Sequence, residues 1–198
     1  MKTRLLLGIL ATFIMLSVAS CGHGKEPSSE DLTQTAPGTF TSFAAFEQSE
    51  KQAGDTALSH YFVPAMLSDD YKLARITKRE DVYVMVEYTV EPGAVSAEKL
   101  GEYELERLST LICRYSLYDD ADQALKAGFI DKGYGAVEYQ GNVYYRWDEY
   151  VNNDPEGLLL GYEIAFVTDG CLIYMHLPAI DTFENMMRYT KLQKIEIK

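Results

Sequence analysis

The sequence has few of the side chains on which recognisable catalytic and metal sites are most often built. Among 198 residues it contains three histidines, three cysteines and one tryptophan. The histidines are far apart, so neither the HExxH pattern of zinc enzymes nor a closely spaced Cys/His set occurs. The G-x-S-x-G nucleophile motif is also missing. Zinc hydrolysis and serine hydrolysis of this type are therefore not indicated.

Basic residues are scarce relative to acidic ones. Lys and Arg total 18 against 30 Asp and Glu, which gives a net charge of −12. Proteins that bind nucleic acid contact its phosphates through a basic face, so this composition argues against a nucleic acid partner. The same charge disfavours attraction to anionic lipid headgroups. Attachment to a membrane would therefore require a hydrophobic anchor.

Two of the cysteines lie in the body of the chain. Cys113 lies in an apolar, strand-like stretch, and Cys171 lies beside a turn. A disulfide between them depends on their distance in space, which the sequence does not give, so their pairing stays open. Neither thiol has a histidine beside it, so an activated thiolate is not indicated.

The N-terminal segment has the pattern of a secretory signal. Lys2 and Arg4 provide a positive start. An uncharged apolar run extends from Leu5 to Val18, and small residues lead from it to Cys21. The run is shorter than the roughly 20 residues that a membrane-spanning helix needs. A cleaved signal is therefore favoured over the alternative, an uncleaved membrane helix.

The segment Val18-Ala19-Ser20-Cys21 resembles the lipobox of bacterial lipoproteins. In that family the cysteine thiol receives a diacylglyceryl group, and the signal peptide is cut just before the cysteine. The resemblance implies that residues 1–20 are the signal peptide and that Cys21 becomes an acylated N-terminus, with fatty acyl chains such as palmitate. It further implies a protein anchored to the cell membrane on the extracytoplasmic side, within a bacterial cell envelope.

Composition divides the remaining chain into a tether and one domain. Residues 21–39 are rich in Gly, Ser, Thr, Pro and charged side chains and have no apolar period, which is typical of a flexible linker. Residues 40–198 carry helix and strand patterns and have about the length of a single domain. We expect one folded domain there, held off the membrane by the tether.

The clearest strand pattern extends from Tyr162 to Leu177. An Asp169-Gly170 turn would place apolar residues opposite one another on one face. The expected pairs are Thr168 with Cys171, Phe166 with Ile173, Ile164 with Met175 and Tyr162 with Leu177. Another hairpin surrounds Gln140-Gly141-Asn142. A three-residue loop there would align Val137, Tyr139, Val143, Tyr145 and Trp147 on one face.

Capping residues predict two of the helices. Asp119 or Asp120 is expected to begin a helix that ends at Gly128. Asp181, with Glu184 three residues later, predicts a capping box at the start of a C-terminal helix. Helices and antiparallel hairpins in one domain indicate the α+β class.

A weak internal repeat bears on the arrangement of this domain. Val82-Tyr83 lies 61 positions before Val143-Tyr144, and Leu111-Ile112 lies 61 positions before Leu172-Ile173. This offset suggests two copies of a hairpin–strand–helix unit. The expected fold is a curved antiparallel β-sheet with helices packed on one face, and the repeat favours a pseudo-duplicated form of it.

A second resemblance rests on the order of four segments, VPAMLSDDYKLARI, VYVMVEY, YQGNVYYRW and GYEIAFVTDGCLIYMHL. This order resembles an uncharacterised α+β domain found at the C-terminus of many bacterial lipoproteins and anti-sigma-type membrane proteins. Such domains are similar in outline to lipoprotein-carrier folds, in which a curved antiparallel sheet faces helices. The resemblance covers the chain from Pro64 onward and implies a fold, but it implies no functional residues.

One segment has the spacing of a calcium-binding loop. Counted from Asn152, oxygen ligands fall at the first, third, fifth and twelfth positions, and Gly157 falls at the sixth. The expected ligands are Asn152, Asp154, Glu156 and Glu163. Pro155 and the strand-like flanks oppose this interpretation, and the same residue types form ordinary strand connections. Calcium is the single cofactor that the sequence offers as a candidate.

Tyrosines on the strands offer a possible contact surface. Tyr144, Tyr150 and Tyr174 fall on the expected outer face of the sheet, where they could stack on a glycan or a peptide. The alternative is that tyrosine is simply common in strands.

These observations predict a membrane-anchored envelope lipoprotein that binds rather than catalyses. Its sheet would engage a protein partner or an apolar or glycan ligand. The alternatives are an envelope hydrolase with a carboxylate or thiol centre, and a calcium-binding module. A deep polar cleft that contains Asp148 or His176 would favour the enzyme, whereas an apolar concavity would favour the binding protein.

Overall fold

The described part of the chain forms a large antiparallel sheet, a two-stranded sheet and four α-helices. A computed structural model of the protein describes residues 34–36, 38–54, 57–79, 83–91 and 101–197. The helices are α1 (Phe43–Gln52), α2 (Glu102–Ser109), α3 (Ala121–Gly128) and α4 (Phe183–Met186). The strands are β1 (Gln34–Ala36), β2 (Thr39–Phe40), β3 (His60–Pro64), β4 (Lys72–Arg79), β5 (Tyr83–Thr89), β6 (Thr110–Ser116), β7 (Gly135–Tyr139), β8 (Asn142–Tyr150), β9 (Leu159–Thr168), β10 (Cys171–Pro178) and β11 (Leu192–Glu196).

Every pair of neighbouring strands runs antiparallel. The large sheet has the order β1-β2-β4-β5-β6-β10-β9-β8-β7, so β7 forms one of its ends. The small sheet pairs β11 with β3. The predicted α+β class, with an antiparallel sheet, is confirmed.

The β9–β10 hairpin has the register that the sequence predicts. Thr168 pairs with Cys171, and the pairing continues in step to Tyr162 opposite Leu177. The turn is made by Asp169 and Gly170, with φ of 48° and 72°. Two consecutive residues with positive φ are the geometry of a two-residue hairpin turn whose twist matches that of the strands.

The large sheet has two apolar faces. On the face that we call the core face, Ile164 and Ile173 belong to a cluster that includes Phe46 of α1 and Phe62 of β3. On the opposite face, which we call the reverse face, Ala165 and Leu172 pack against Leu125 of α3 and against Phe129, the residue after α3. Helix α2 also contacts β6, β9 and β10. Helices therefore lie on both sides of the sheet, and not on one face as expected from the sequence. The reason is that side chains alternate in direction along β9 and β10, and those on both faces are buried.

The β7–β8 hairpin differs from the prediction. Tyr139 pairs directly with Asn142, so the loop contains only Gln140 and Gly141, with φ of 50° and 79°. The predicted three-residue loop is wrong. Because side chains alternate along a strand, a loop one residue shorter moves each β8 side chain to the other face relative to β7.

The predicted helix starts are confirmed in one case and shifted in the other. The Asp120 side chain accepts a hydrogen bond from the Gln123 N–H at 2.9 Å, and α3 ends at Gly128. At α4 the N-cap is Thr182 rather than Asp181. Asp181 instead accepts bonds from the Thr182 N–H at 2.7 Å and the Asn185 side chain at 3.0 Å. The N-cap therefore lies one residue after the predicted position, and the prediction of a capping box from Asp181 to Glu184 is wrong.

The internal repeat is only partly reflected in the sheet. Strands β6 and β10 lie side by side, as the centre of a duplicated arrangement would require. However, β5 is adjacent to β6, whereas β9 separates β8 from β10. The second copy of the predicted unit therefore has an additional strand, β9, between β8 and β10, whereas the corresponding strands of the first copy, β5 and β6, are direct neighbours.

The predicted lipobox at Val18-Ala19-Ser20-Cys21 and most of the predicted tether lie outside the described residues. Within the described ranges, none of the helices has the length and apolar character needed to cross a membrane.

Candidate functional site

Strand β7 is shorter than β8, and its first residue, Gly135, lies opposite Arg146. The part of β8 after Arg146 therefore has no neighbouring strand on that side among the described residues. The pairing runs from Tyr139 opposite Asn142 to Gly135 opposite Arg146. Strand β8 continues to Tyr150 and stays paired with β9 on its other side. The segment Trp147–Tyr150 therefore has no strand on its β7 side in the part of the chain that the structure describes. We call the open space on that side of the segment, next to Gly135, the notch.

The backbone of Asp148 faces the notch. In a two-residue hairpin the closing residues, here Tyr139 and Asn142, exchange backbone hydrogen bonds, and pairs that bond alternate with pairs that do not. Residues Asn142, Tyr144 and Arg146 therefore direct their N–H and C=O groups toward β7, while Tyr145 and Trp147 direct theirs toward β9. The next residue in this alternation is Asp148, which lies beyond the end of β7. Among the described residues, no backbone hydrogen bond joins the Asp148 N–H or C=O to a segment on that side of β8, so both groups are open to a strand-like ligand.

A cleft of about 380 Å³ lies at the notch. The residues that line it are Gly135, Val137, Arg146, Trp147, Asp148, Tyr150, Asn153 and Pro155. Trp147 is 43% exposed although it is a large apolar side chain. A cleft of this size with aromatic walls and a few polar groups is typical of a ligand-binding site.

The charged side chains of the cleft are already paired with each other. Arg146 Nη2 donates to Asp148 Oδ2 at 2.7 Å, and the Arg146 Nε donates to the other carboxylate oxygen. The guanidinium also lies 3.7 Å from the centre of the Phe183 ring. A two-bond Arg–carboxylate pair with an aromatic face beneath it holds both side chains in a fixed orientation.

The loop after β8 closes the cleft on its far side. Asn152 and Asn153 both have positive φ, 56° and 55°. Asparagine tolerates this conformation better than most residues, but two in succession are unusual. The Asp154 side chain accepts a hydrogen bond from the Glu156 N–H at 3.0 Å, and the Gly157 N–H donates to the Asp154 carbonyl at 2.8 Å. The loop is therefore fixed by its own hydrogen bonds.

On the reverse face, the notch is supported by a buried ion pair. Glu149 follows Asp148 and points to the opposite side of the sheet. Arg107 of α2 donates to its carboxylate through Nε at 2.8 Å and Nη2 at 2.6 Å, and the Tyr103 hydroxyl donates to the other oxygen. Both charged side chains are about nine-tenths buried, at 14% and 13% exposure. Although burial opposes ionisation, the hydrogen bonds from Arg107 and Tyr103 lower the pKa of Glu149.

His176 of β10 completes the link between α2 and the sheet. Its Nε2 lies 2.8 Å from the backbone carbonyl of Arg107, and its Nδ1 lies 2.7 Å from Arg107 Nη2. A carbonyl only accepts and a guanidinium only donates, so the imidazole is neutral and carries its proton on Nε2. Burial, with the charge of Arg107, lowers the pKa of His176 to about 4. The side chain has no exposed surface, so it is not available to a substrate.

Glu163, predicted as a calcium ligand, belongs to the same network. Its carboxylate accepts hydrogen bonds from the Tyr134 hydroxyl, from the Tyr174 hydroxyl at 2.9 Å and from Arg107 Nη2 at 3.3 Å. The other predicted ligands, Asn152, Asp154 and Glu156, lie on the loop after β8. Across the described ranges, no three His, Cys, Asp or Glu side chains converge as a metal-binding group. The four predicted ligands are therefore not brought together, and the flanking elements are strands, as the sequence indicates.

The three predicted contact tyrosines occupy three different environments. Tyr144 is 7% exposed and packs edge-to-face on Phe166 on the core face, so its predicted outward position is wrong. The physical reason is the shorter β7–β8 loop. Tyr174 is covered on the reverse face, between Arg114 and Phe129. Only Tyr150 lines the cleft.

The two thiols in the domain are buried and free. Cys113 and Cys171 form no disulfide. Burial raises the pKa of Cys113 to about 12. Burial and the nearby Asp169 carboxylate also raise the pKa of Cys171. Lys194 acts in the opposite direction on Cys171, but the pKa is raised on balance, so neither thiol is activated in the way of a catalytic cysteine.

Sequence reasoning did not identify Trp147 or Arg107 as site residues. The feature that marks Trp147 as a site residue is its position one residue before Asp148, on the part of β8 that extends past β7. No local signal marks Arg107, because its partner Glu149 lies 42 residues later in the chain.

Comparison of the chain with family models, with curated proteins and with solved structures gives no significant match.

Proposed function

We propose that this protein is a membrane-anchored, extracytoplasmic binding module of a bacterial cell envelope and that its binding site is the notch. The anchor part of the proposal rests on the Val18-Ala19-Ser20-Cys21 segment, with acylation at Cys21. Two acyl chains give stable membrane attachment without a spanning helix. The folded domain would then present the notch to other components of the envelope.

The observation that carries the binding role is the unpaired backbone of Asp148 beside an aromatic cleft. A sheet edge of this kind is a ready site for association, and proteins without a use for it usually cover or block it. Here Trp147 is 43% exposed at the same place. Exposed aromatic side chains are enriched at binding interfaces.

The surroundings of the reactive residue types favour binding over catalysis. The Asp148 carboxylate is held by Arg146, and the His176 imidazole is out of reach of solvent. The Cys113 thiol is fully buried with a raised pKa. General acid–base or nucleophilic catalysis requires such groups to reach a substrate.

The reverse-face network gives the notch a rigid base. Glu149 is the residue after Asp148, and it is tied to α2 by two hydrogen bonds from Arg107. A segment that is already ordered loses little conformational entropy when a ligand binds. The notch can therefore bind with a backbone conformation close to that of the free protein.

Site-specific crosslinking in the native host tests the binding site. A photoreactive benzoylphenylalanine at position 150 should form an adduct in the membrane fraction. The same group at position 118 is the control, because Tyr118 is 46% exposed but follows β6, three strands from β8. Adduct formation at 150 that is lost in a Trp147→Ala background supports the notch. Equal labelling at both positions, or none at 150, would overturn it.

The anchor is tested separately by mass spectrometry of the protein purified from host membranes. The expected N-terminal peptide begins at Cys21 and carries the mass of a diacylglyceryl group. An unmodified Cys21 would remove the anchor from the proposal and leave the notch unaffected.

A further inference from the structure

Resting on the proposed function, we infer that the ligand of the notch is an extended, basic peptide segment of a partner protein, which adds to the sheet as a short strand beside Asp148. The class of ligand is decided by three features of the notch: its open backbone, the two sides of the cleft and the local charge.

The open backbone selects a peptide over other ligands. An added strand would lie in line with β7, on the far side of Gly135, and would exchange two backbone hydrogen bonds with Asp148. This mode of recognition obtains affinity from main-chain bonds and specificity from alternate side chains. A sugar or a lipid lacks the regularly spaced N–H and C=O groups that match a strand edge.

The two sides of the cleft set the side-chain pattern of the peptide. The peptide residue opposite Asp148 would project onto the core face, where Gly135 has no side chain and the cleft reaches Val137. An apolar side chain fits there. Its two neighbours would project onto the reverse face, where Trp147 is 43% exposed and the Tyr134 ring packs against it with 5.9 Å between ring centres. A cation beside the exposed part of the Trp147 ring is favoured by the negative π face of the indole.

The local charge also favours basic side chains. Asp148 is neutralised by Arg146, but Asp154 and Glu156, which flank the cleft residue Pro155, are exposed. The chain as a whole carries a net charge of −12. Charge complementarity of this kind accelerates encounter and selects against acidic partners. The expected motif is therefore an apolar residue between two basic ones, in an extended conformation.

The chain supplies its own probe for a binding experiment, since Trp147 is its single tryptophan. The full-length acylated protein, purified in detergent, is titrated with the heptapeptide Lys-Val-Lys-Val-Lys-Val-Lys while tryptophan fluorescence is recorded. The matched control is the same peptide with N-methylated valines, which keeps the side chains and charge but removes the backbone donors. Chitobiose is the glycan comparison.

We expect the unmodified peptide to shift the fluorescence and N-methylation to weaken binding at least tenfold. Binding should also slow hydrogen exchange at the Asp148 amide. Equal affinity for the two peptides would overturn strand addition. Binding of chitobiose without the peptide would overturn the peptide but leave the proposed function standing. Self-association through the notch, with no response to peptide, would identify a second copy as the occupant and would also overturn the inference.

Charge variants test the basic character of the peptide separately. Asp154→Asn with Glu156→Gln should weaken binding of the heptapeptide, most clearly at low salt. The control is Glu196→Gln on β11, which removes one exposed negative charge away from the notch. Equal effects of both changes would show general attraction to an acidic protein and would contradict recognition at the notch.

Discussion

The imidazole of His176 occupies the space that a side chain on Gly161 would need. A Cβ atom on Gly161 would lie 2.1 Å from His176 Cε1, closer than any non-bonded contact allows. Gly161 lies on β9, and His176 lies on the neighbouring strand β10. The bare glycine therefore lets the ring lie flat on the sheet, with both nitrogens directed at Arg107.

This relationship predicts that Gly161→Ala destabilises the protein. The added methyl group must displace either the ring or the backbone, and overpacking of this kind costs about 2 kcal/mol. Displacement of the ring would also break its bonds to Arg107. The free energy of unfolding in urea is the measurement.

Gly128→Ala is the matched control. Gly128 is the last residue of α3, and a Cβ there would meet no atom within 4 Å. Since alanine is favoured over glycine in a helix, this variant should be as stable as the wild type or slightly more stable. Gly161→Ala at wild-type stability would show that His176 is not held against β9 as described.

The buried imidazole also predicts a loss of stability in acid. The pKa of His176 is about 4 in the folded protein, because of burial and the charge of Arg107, against an ordinary value of 6.5. The unfolded chain therefore takes up a proton as the pH falls below 6.5, whereas the folded protein does so only near pH 4. Between these values the free energy of unfolding should fall, by about 3 kcal/mol in total.

A His176→Gln variant isolates this contribution. The charged and titratable groups around the imidazole are Arg107, Glu149, Glu163 and Tyr174, and all of them remain. The variant should be less stable than the wild type at pH 7 but should lose less stability between pH 6.5 and pH 4. Parallel curves for the two proteins would rule out His176 as the group that titrates.

The burial of the thiols predicts low reactivity in the native state. In a Cys21→Ser background the remaining cysteines are Cys113 and Cys171. A pKa of about 12 at Cys113 leaves about a thousandfold less thiolate at pH 8 than an ordinary thiol has. Iodoacetamide should therefore modify both residues only after unfolding, as read by intact-protein mass spectrometry. Rapid labelling of Cys113 in the native protein would contradict this prediction and would favour the alternative of an enzyme with a thiol centre.

The parts of the fold that depend on local pattern could be predicted from the sequence. The β9–β10 register follows from alternation and from a turn that contains glycine, and every predicted pair is present. The β7–β8 loop was predicted one residue too long. Gln140 adopts a positive φ there, which its residue type does not suggest, and the error placed Tyr144 on the wrong face.

The candidate site was only partly predictable for the same reason. Alternation along β8 correctly indicates that Asp148 and Glu149 point to opposite faces. The partner of Glu149 is Arg107 on α2, and the partners of Glu163 come from three separate segments. The notch arises because β7 begins only at Gly135, and the preceding residue, Tyr134, directs its hydroxyl to Glu163 on the reverse face. Such long-range contacts leave no periodic signal in the chain.

Removal of Arg107 should be the most costly single change to the network. Its guanidinium contacts Glu149, Glu163 and His176, so Arg107→Ala leaves two carboxylates without their cation in a largely buried site. Loss of one partner from a buried ion pair costs about 3 kcal/mol or more. Urea unfolding at pH 7 measures the effect. Because Glu149 anchors the strand next to Asp148, faster hydrogen exchange along Trp147–Tyr150 should accompany the loss.

Lys194→Ala provides the comparison for an exposed ion pair. Lys194 lies 3.6 Å from Asp169, with side chains 37% and 56% exposed, so its loss should cost less than about 1 kcal/mol.

A double-mutant cycle of Arg107→Ala with Glu149→Gln then separates pairing from packing. If the network acts as a unit, the double variant should be more stable than the sum of the two single losses predicts. The reason is that Glu149→Gln removes the negative charge that Arg107→Ala leaves unpaired. Strict additivity would mean that Arg107 and Glu149 are not energetically coupled, and that Arg107 stabilises the sheet through its contacts with Glu163 and His176.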